Sequence, residues 1–203
     1  MSEEQPTSTE ATPSVKGSVF LIGVQGVKRL VADGRLSREE VEFELRAEDI
    51  GYLDEKILPA SWYPVTSFDR FAAIAIDSLG DGDSAYLVEQ GEAAAPAILA
   101  SEAYQGVIGS IQAGREGTRS RLSMLTMVQL MLNFSRWQLD SESGGGQRFE
   151  VRVTDAGDLP ESLRYAAQGF MQHLASVLAG GPCSVSSERL DQDTILFRGH
   201  RRA

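Results

Sequence analysis

The sequence predicts an α+β fold in which a helical N-terminal two-thirds packs on a twisted antiparallel sheet. Apolar residues recur at helical spacing through the first two-thirds of the chain. In the last third, two stretches of alternating apolar and polar residues flank one amphipathic helix, and each stretch is typical of a β-hairpin. A sheet made from two hairpins buries one face, which the helices would cover.

The composition is that of an ordinary globular protein, with 203 residues, 42% hydrophobic residues and a formal net charge of −10. The acidic balance argues against nucleic-acid binding, which depends on Lys and Arg that neutralise phosphates. No apolar run reaches the roughly 20 residues of a membrane-spanning helix. The start of the chain lacks the cationic and apolar regions of a signal peptide. We therefore expect a cytoplasmic protein without membrane insertion.

The first residues differ from the rest of the chain. Residues 1–15 are rich in Ser, Thr, Glu and Pro and hold too few apolar side chains to offset the entropy of ordering. We expect them to form a disordered acidic tail, which acts as a solubility arm or, alternatively, as a phosphorylated or partner-docking segment. Residues 16–203 are expected to form a single α+β domain.

Spacing and capping residues predict the first helices. Residues 17–31 carry apolar side chains at helical spacing, with scattered Gly, and are expected to start extended and continue as a helix. Ser37 followed three residues later by Glu40 is a capping box, which predicts a helix that ends near Ile50–Gly51.

Proline residues mark the connection to the next helix. Trp62 and Tyr63 lie between Pro59 and Pro64, which predicts an extended segment or a turn. Ser67 is the expected N-cap of the helix that follows, because its hydroxyl can accept from the first backbone N–H groups.

Two further helical segments precede the hairpins. An alanine-rich segment runs from Ser84 to about Gly114, and Pro96 inside it is expected to break or kink the helix. Residues 118–133 are apolar on nearly all sides in their second half, so we expect the central helix of the core there.

The C-terminal third follows a hairpin, helix, hairpin order. Residues 136–140 and 148–154 alternate in polarity around a Gly-rich loop. The next helix is expected to begin at an Asp158 cap and to end at Gly180. Residues 183–198 alternate again around a short turn, which predicts the second hairpin.

Several blocks of this order resemble a known group of proteins. The blocks are GSVFLIGVQGVKRL, WYPVTSFDRFAAIAI, TMVQLMLNF with SRWQLD, and FEVRVTDAGDLPESLRYAAQGFMQHLASVLAG. Over residues 17–198 they resemble paralogous myxobacterial proteins of about this length and of unknown function. The hairpin, helix, hairpin ending is similar to the vinyl-reductase-type small-molecule-binding domain, which is related in fold to haem-based nitric oxide sensors and TRAPP trafficking subunits. The resemblance implies an apolar pocket between helices and sheet, a binding or regulatory role and no established catalytic residues.

The sequence departs from the haem sensors at two points. Those proteins hold haem with a histidine on a mid-chain helix and with a Tyr-x-Ser-x-Arg motif. This chain has no histidine before His173, and its nearest stretch, residues 118–121, is Thr-Arg-Ser-Arg without Tyr. The comparison therefore predicts no haem bound by that route.

Few side chains are suited to catalysis. A nucleophile needs an adjacent base, and the only histidines are His173, expected at the rim of a helix stripe, and His200, expected to be solvated. Cys183 is expected to be a buried structural thiol. Residues 81–83 lack the further oxygen donors of a calcium loop. We expect no enzyme, no catalytic residue, no metal site and no cofactor.

Two features favour a binding role. Methionines recur on one face of the predicted central helix, where they would form an adaptable binding surface or simply fill the core. An aromatic pair between prolines would line a pocket, anchor a partner or pack as a lid on the core. The candidate pocket residues are Trp62, Tyr63, Phe71, Met124, Met127 and Met131.

Two functional hypotheses follow from these features. The first is a non-enzymatic regulatory or sensory domain that binds a small hydrophobic ligand between helices and sheet. The alternative is a protein–protein interaction module, either a homodimer or a scaffold, with a filled core and no ligand.

Overall fold

The computed structural model describes residues 12–101, 104, 118–143 and 148–202, and for residues 118–124 and 141–143 it describes the backbone alone. In chain order the elements are β1 (Ser14–Lys16), α1 (Gly17–Ala32), α2 (Arg38–Glu44), α3 (Ala47–Asp54), β2 (Trp62–Pro64), α4 (Val65–Leu79), α5 (Ala85–Leu99), α6 (Thr118–Met131), β3 (Arg136–Ser143), β4 (Arg148–Thr154), α7 (Glu161–Ala179), β5 (Cys183–Arg189) and β6 (Ile195–Arg201).

The two C-terminal hairpins form one antiparallel sheet in the order β3-β4-β6-β5. On its inner face Val151 pairs with Phe197, and both are fully buried. Trp137 stacks on Phe197 with ring centroids 5.2 Å apart. Polar residues occupy the alternate positions, as the period-2 pattern requires. The predicted α+β fold, with a helix between two hairpins, is confirmed.

Helix α7 covers the inner face of this sheet and packs its apolar stripe on β5, β6 and α5. Gly180 ends the helix as predicted, with a left-handed φ of 62° that favours glycine. The predicted Asp158 cap is wrong, because Leu159 N–H donates to the Ala156 carbonyl and places Asp158 in a turn. Pro160 is the N-cap, with extended backbone.

Helices α5 and α7 approach each other closely at two glycines. A Cβ added at Gly91 would overlap the Ala166 carbonyl, and one added at Gly169 would overlap the Val88 carbonyl. Only glycine allows backbones to come this near, so these two positions set the spacing between the N-terminal helices and the helix on the sheet.

An aromatic cluster joins α1, α3, β2 and α4. Phe20 lies at its centre and is fully buried. Tyr63 stacks on Phe20 at 4.7 Å, while Tyr52 and Phe71 meet it edge-on at 4.9 Å and 5.8 Å. Such pairs add about 0.5–1.5 kcal/mol each beyond the area they bury.

A short sheet of β1 and β2 lies outside the sequence-based prediction. Val15 is opposite Tyr63 in this sheet, and it also forms a bridge with Leu132 at the end of α6. Ser14 and Val15, which the sequence assigned to the tail of residues 1–15, are buried here. A three-residue strand carries no periodicity, and it forms only because a distant segment supplies its partner.

The helix boundaries differ from the prediction in the N-terminal half. The expected single helix up to Ile50–Gly51 is two helices, because Leu45 and Arg46 adopt extended backbone. The N–H of Arg46 donates to the Asp49 carboxylate at 3.3 Å, which starts α3 separately. The expected cap at Ser67 is also wrong, because α4 already begins after Pro64 and Ser67 lies within it.

Helices α5 and α6 correct two further expectations. Helix α5 continues through Pro96 to Leu99, so the proline does not break it there, although its missing N–H removes one hydrogen bond of the helix. Helix α6 lies on β3 and β1 rather than at the centre, and Leu130 on it is 43% exposed. The expected continuation of the alanine-rich segment to Gly114 lies outside the described residues, apart from Tyr104.

Candidate functional site

A cleft of about 580 Å³ lies between helices α2 and α4. Val41 and Ile74 are buried, so they form its floor. The lining combines apolar side chains with carboxylates and one cation. Its apolar lining is Leu36, Val41, Phe43, Ala73 and Ile74, and its charged lining is Glu39, Glu40, Glu44, Arg70 and Asp77. We call this surface the α2–α4 cleft.

The capping box predicted from sequence is confirmed, and it fixes the start of α2 at one end of the cleft. The Ser37 hydroxyl accepts the Glu40 N–H at 3.1 Å, and the Ser37 N–H donates to the Glu40 carboxylate at 2.6 Å. Hydrogen bonds from the Ser37 backbone and hydroxyl lower the pKa of Glu40. This carboxylate therefore stays ionised at neutral pH.

Arg38 on α2 forms an ion pair with Asp54 on α3. Its guanidinium donates to both oxygens of Asp54 at 2.9 Å and 2.8 Å, and to Glu42 at 2.5 Å. The hydrogen bonds from Arg38 lower the pKa of Asp54. Paired contacts of this kind fix the orientation of a short helix that buries only one residue, Val41.

Arg70 is held from behind the cleft by Asp49. Its Nε donates to Asp49 Oδ2 at 2.5 Å and its Nη2 to Asp49 Oδ1 at 3.0 Å, with further contacts to Glu48 and Ser67. Burial raises the pKa of Asp49, but the hydrogen bonds from Arg70 and Ser67 outweigh it, so the pKa is lowered. The charge of Arg70 is therefore already balanced.

Phe43 stands out at the edge of the cleft, because 86% of its side chain is exposed. Val41 lies two positions earlier on α2, so the two side chains point to nearly opposite sides of the helix. Val41 takes the core position, and Phe43 faces solvent. Helix α2 ends one residue later, so no further turn covers it.

The carboxylates of the rim are largely free. In the described part of the chain, Glu39, Glu44 and Asp77 make no salt bridge and are exposed. With Arg70 engaged by Asp49, the rim presents negative charge around an apolar floor.

Two other clefts are lined by described residues. One of about 420 Å³ at the end of the sheet includes Arg148, Arg198 and His200, and Arg198 is paired with Glu150 and Glu188. The other, of about 360 Å³, lies between α1 and α5. Among the residues that line these two clefts, the one Phe, Tyr or Trp side chain, that of Phe149, is buried.

The predicted pocket residues lie mainly in the packed interior. Phe71, Met127 and Met131 are buried, and Tyr63 stacks on Phe20. None of the predicted residues lines any of the three clefts.

The other two predicted pocket residues are Trp62 and Met124. Trp62 is 44% exposed, with the ammonium of Lys16 3.9 Å from its ring centroid. The side chain of Met124 lies outside the described residues. The pocket between helices and sheet therefore stays a prediction.

The groups considered for catalysis differ in their surroundings, and Cys183 and His200 lie on neighbouring strands, where Cys183 is opposite Arg201 and His200 is opposite Ser184. His173 is half-buried on α7, His200 is exposed on β6, and Cys183 is buried with its thiol 3.8 Å from the Gly181 carbonyl. No group of three or more His, Cys, Asp or Glu side chains in the described ranges is placed to hold a metal ion. Among those same ranges, no helix combines the length and apolar character of a membrane span.

The fold is similar to that of solved H-NOX proteins. The Fe(II) unliganded H-NOX protein from K. algicida has a TM-score of 0.61 and 10% identity, covering 93% of this chain and 97% of that one. An oxygen-binding H-NOX domain related to soluble guanylate cyclases has a TM-score of 0.54 and 15% identity, covering 93% and 95%. A structure on the modulation of haem redox potential has a TM-score of 0.54 and 14% identity, covering 91% and 99%. The sequence matches no protein-family model and no curated protein.

At these identities the likeness shows the fold alone. It confirms the resemblance to haem-based nitric oxide sensors at the level of fold. The resemblance to the myxobacterial family and to vinyl-reductase-type domains stays a prediction.

The residues of this chain do not fit a haem held by a histidine inside the fold. An axial histidine has to point into a buried cavity. His200 lies on the exposed end of the sheet, and His173 lines none of the three clefts. Neither histidine is therefore placed to hold a haem in this way.

Sequence reasoning missed the α2–α4 cleft, although one signal was present. In the segment Arg38–Glu44, Val41 and Phe43 are two positions apart, so one helix cannot bury both on the same face. An apolar aromatic residue in a short acidic helix indicates an exposed contact point. The sequence did not indicate the ion pair of Arg70, because its partner Asp49 lies on another helix.

Proposed function

We propose that this chain is a non-enzymatic regulatory domain that acts by binding another protein through the α2–α4 cleft. The observation that carries the proposal is the exposed Phe43 at the edge of an apolar cleft. Aromatic side chains beside concave apolar surfaces dominate the energetics of many interfaces, because contact with a partner removes both from water. The H-NOX-like fold is consistent with a regulatory or sensory role.

The chemistry of the cleft supports binding rather than catalysis. General acid–base catalysis at neutral pH depends on a group that titrates there. The pKa of Glu40 is lowered instead by hydrogen bonds from Ser37. Burial raises the pKa of Asp49, but hydrogen bonds from Arg70 and Ser67 outweigh this effect and lower it. Neither histidine lines the cleft.

The test compares Phe43→Ser with Val177→Ser. Val177 lies on α7, is 59% exposed and does not line the cleft, so it controls for the loss of an exposed apolar side chain. Proteins captured by the wild type are identified by mass spectrometry and purified. Each is then titrated against the wild type, Phe43→Ser and Val177→Ser. The proposal predicts a purified partner whose affinity falls about tenfold or more with Phe43→Ser and is unchanged with Val177→Ser. If no purified partner depends on Phe43, the proposal is wrong.

A second function, the binding of a small hydrophobic ligand between helices and sheet, is favoured by the fold. One H-NOX structure of the same fold is an oxygen complex. The residues proposed for it remain Trp62, Tyr63, Phe71, Met124, Met127 and Met131. Native mass spectrometry of freshly purified protein tests this function: extra bound mass supports it, and protein at its apo mass contradicts it.

A further inference from the structure

The charge around the α2–α4 cleft points to the kind of partner that binds there. We infer that the cleft binds a basic amphipathic helix of another protein, an inference that rests on the proposed docking function. The apolar face of that helix would cover the floor and Phe43, and its Lys and Arg side chains would meet the acidic rim.

The rim is acidic because three of its carboxylates make no salt bridge within the part of the chain that the structure describes. Glu39, Glu44 and Asp77 are exposed and make no salt bridge with other described residues. Arg70 is the one cation among the described lining residues, and its guanidinium is engaged by Asp49. The Lys and Arg side chains of a partner would therefore meet carboxylates that are not already paired with a described residue.

The shape of the cleft suits a helix. Its walls are themselves two helices, and the groove between packed helices accepts the side-chain ridge of a third. Helix α2 has 7 residues. Its length of about 10 Å corresponds to roughly two turns of a docked helix, enough for the i, i+3, i+4 and i+7 anchors of this binding mode.

The charges disfavour the other occupants. A second copy of the chain brings a net charge of −10 and the same acidic rim. Residues 1–11 of the same chain contain three Glu and no Lys or Arg. Both would place like charges against the rim, which opposes association.

The test uses three synthetic peptides that share one leucine face and differ on the polar face, which carries Lys and Arg, Gln, or Glu. Fluorescence anisotropy measures their binding to the wild type. It also measures their binding to a cleft variant with Glu39→Gln, Glu44→Gln and Asp77→Asn, and to a control variant with the same change in charge. The control carries Glu55→Gln, Asp81→Asn and Glu89→Gln, three exposed carboxylates outside the cleft.

We expect the basic peptide to bind tightest and to lose about tenfold in affinity with the cleft variant, against less than about twofold with the control. Equal losses with both variants would mean attraction to the net charge alone and would overturn the inference. The same titration with Phe43→Ser shows whether peptide binding depends on Phe43. If the Gln or Glu peptide binds best and loses affinity with Phe43→Ser, the docking function stands and the basic partner is wrong. If none of the peptides binds, the inference fails, and the purified-partner titration decides the docking function separately.

Discussion

Asp49 and Arg70 form a buried ion pair behind the α2–α4 cleft. The Asp49 carboxylate has no exposed surface and accepts two hydrogen bonds from the guanidinium of Arg70. The pair joins α3 to α4, and it also removes the positive charge that would balance the rim. One contact therefore supports the fold and shapes the electrostatics of the proposed docking surface.

Loss of this pair is expected to destabilise the protein. Asp49→Asn leaves the Arg70 charge without its buried partner. We expect the free energy of unfolding to fall by about 3 kcal/mol. This is the lower end of the range for buried pairs, because Arg70 keeps contact with solvent. Urea denaturation measures it. Glu48→Gln is the control, because Glu48 is 67% exposed and its contact with Arg70 is worth about 1 kcal/mol or less. Similar losses for both variants would contradict the role of Asp49.

The same pair predicts a pH dependence. Because the pKa of Asp49 is lower in the folded than in the unfolded protein, the ionised carboxylate stabilises the fold above the unfolded value of about 3.9. This contribution is lost as the pH falls through the lowered pKa of Asp49 in the folded protein. The stability difference between wild type and Asp49→Asn is therefore expected to be constant near neutral pH and to shrink below about pH 4. A difference that is independent of pH in this range would contradict the assignment.

The close approach of α5 and α7 gives a second prediction. Gly169→Ala would place a methyl group into the Val88 carbonyl, so we expect a loss of about 2 kcal/mol or more in unfolding free energy. Gly26→Ala is the matched control in α1. A Cβ there meets Ala75 Cβ at 3.5 Å, an ordinary contact, and alanine favours the helix by up to about 1 kcal/mol. Thermal unfolding that ranks the two variants in the opposite order would refute this packing.

Met127→Trp distinguishes a filled interior from an open pocket. Met127 is fully buried. A filled core has no room for the larger ring, so the packed interior predicts a loss of about 1–3 kcal/mol in unfolding free energy. A pocket would accept the ring without loss, and the variant would then also block ligand uptake. Calorimetric unfolding together with native mass spectrometry of the same sample separates these outcomes.

Phe43→Ser is expected to leave the stability unchanged. With 86% of its side chain exposed, Phe43 contributes little to the core, and we expect a change within about 0.5 kcal/mol. Chemical denaturation checks this value. A loss of 2 kcal/mol or more, on the scale of burying a large apolar side chain, would show that Phe43 belongs to the core and not to a docking surface.

The fold followed from the sequence where the periodicity was long. The hairpin, helix, hairpin ending alternates over enough residues to predict the sheet, and Gly180 marks the end of α7 correctly. The break at Leu45–Arg46 was not foreseen, because it depends on the side chain of Asp49 starting a new helix. The strand at Ser14–Lys16 was missed because its partner is β2, far along the chain.

The site was harder to predict than the fold. Methionines at helical spacing and an aromatic pair between two prolines indicated a pocket, but burial of Phe71 and Met127 follows equally from plain core packing. The cleft depends on how α2 lies against α4, and that arrangement depends on contacts of Arg38 and Arg70 with α3. Contacts between separate helices leave no local pattern in the sequence.

Amide NMR spectra of isotopically labelled wild-type protein, titrated with the basic leucine-faced peptide, test the docking site most directly. The account predicts saturable shift changes that concentrate on α2 and α4, with Phe43 among the most affected residues, and their loss in Phe43→Ser. Changes confined to the sheet of β3 to β6, or spread over all acidic surfaces and unchanged in Phe43→Ser, would contradict it.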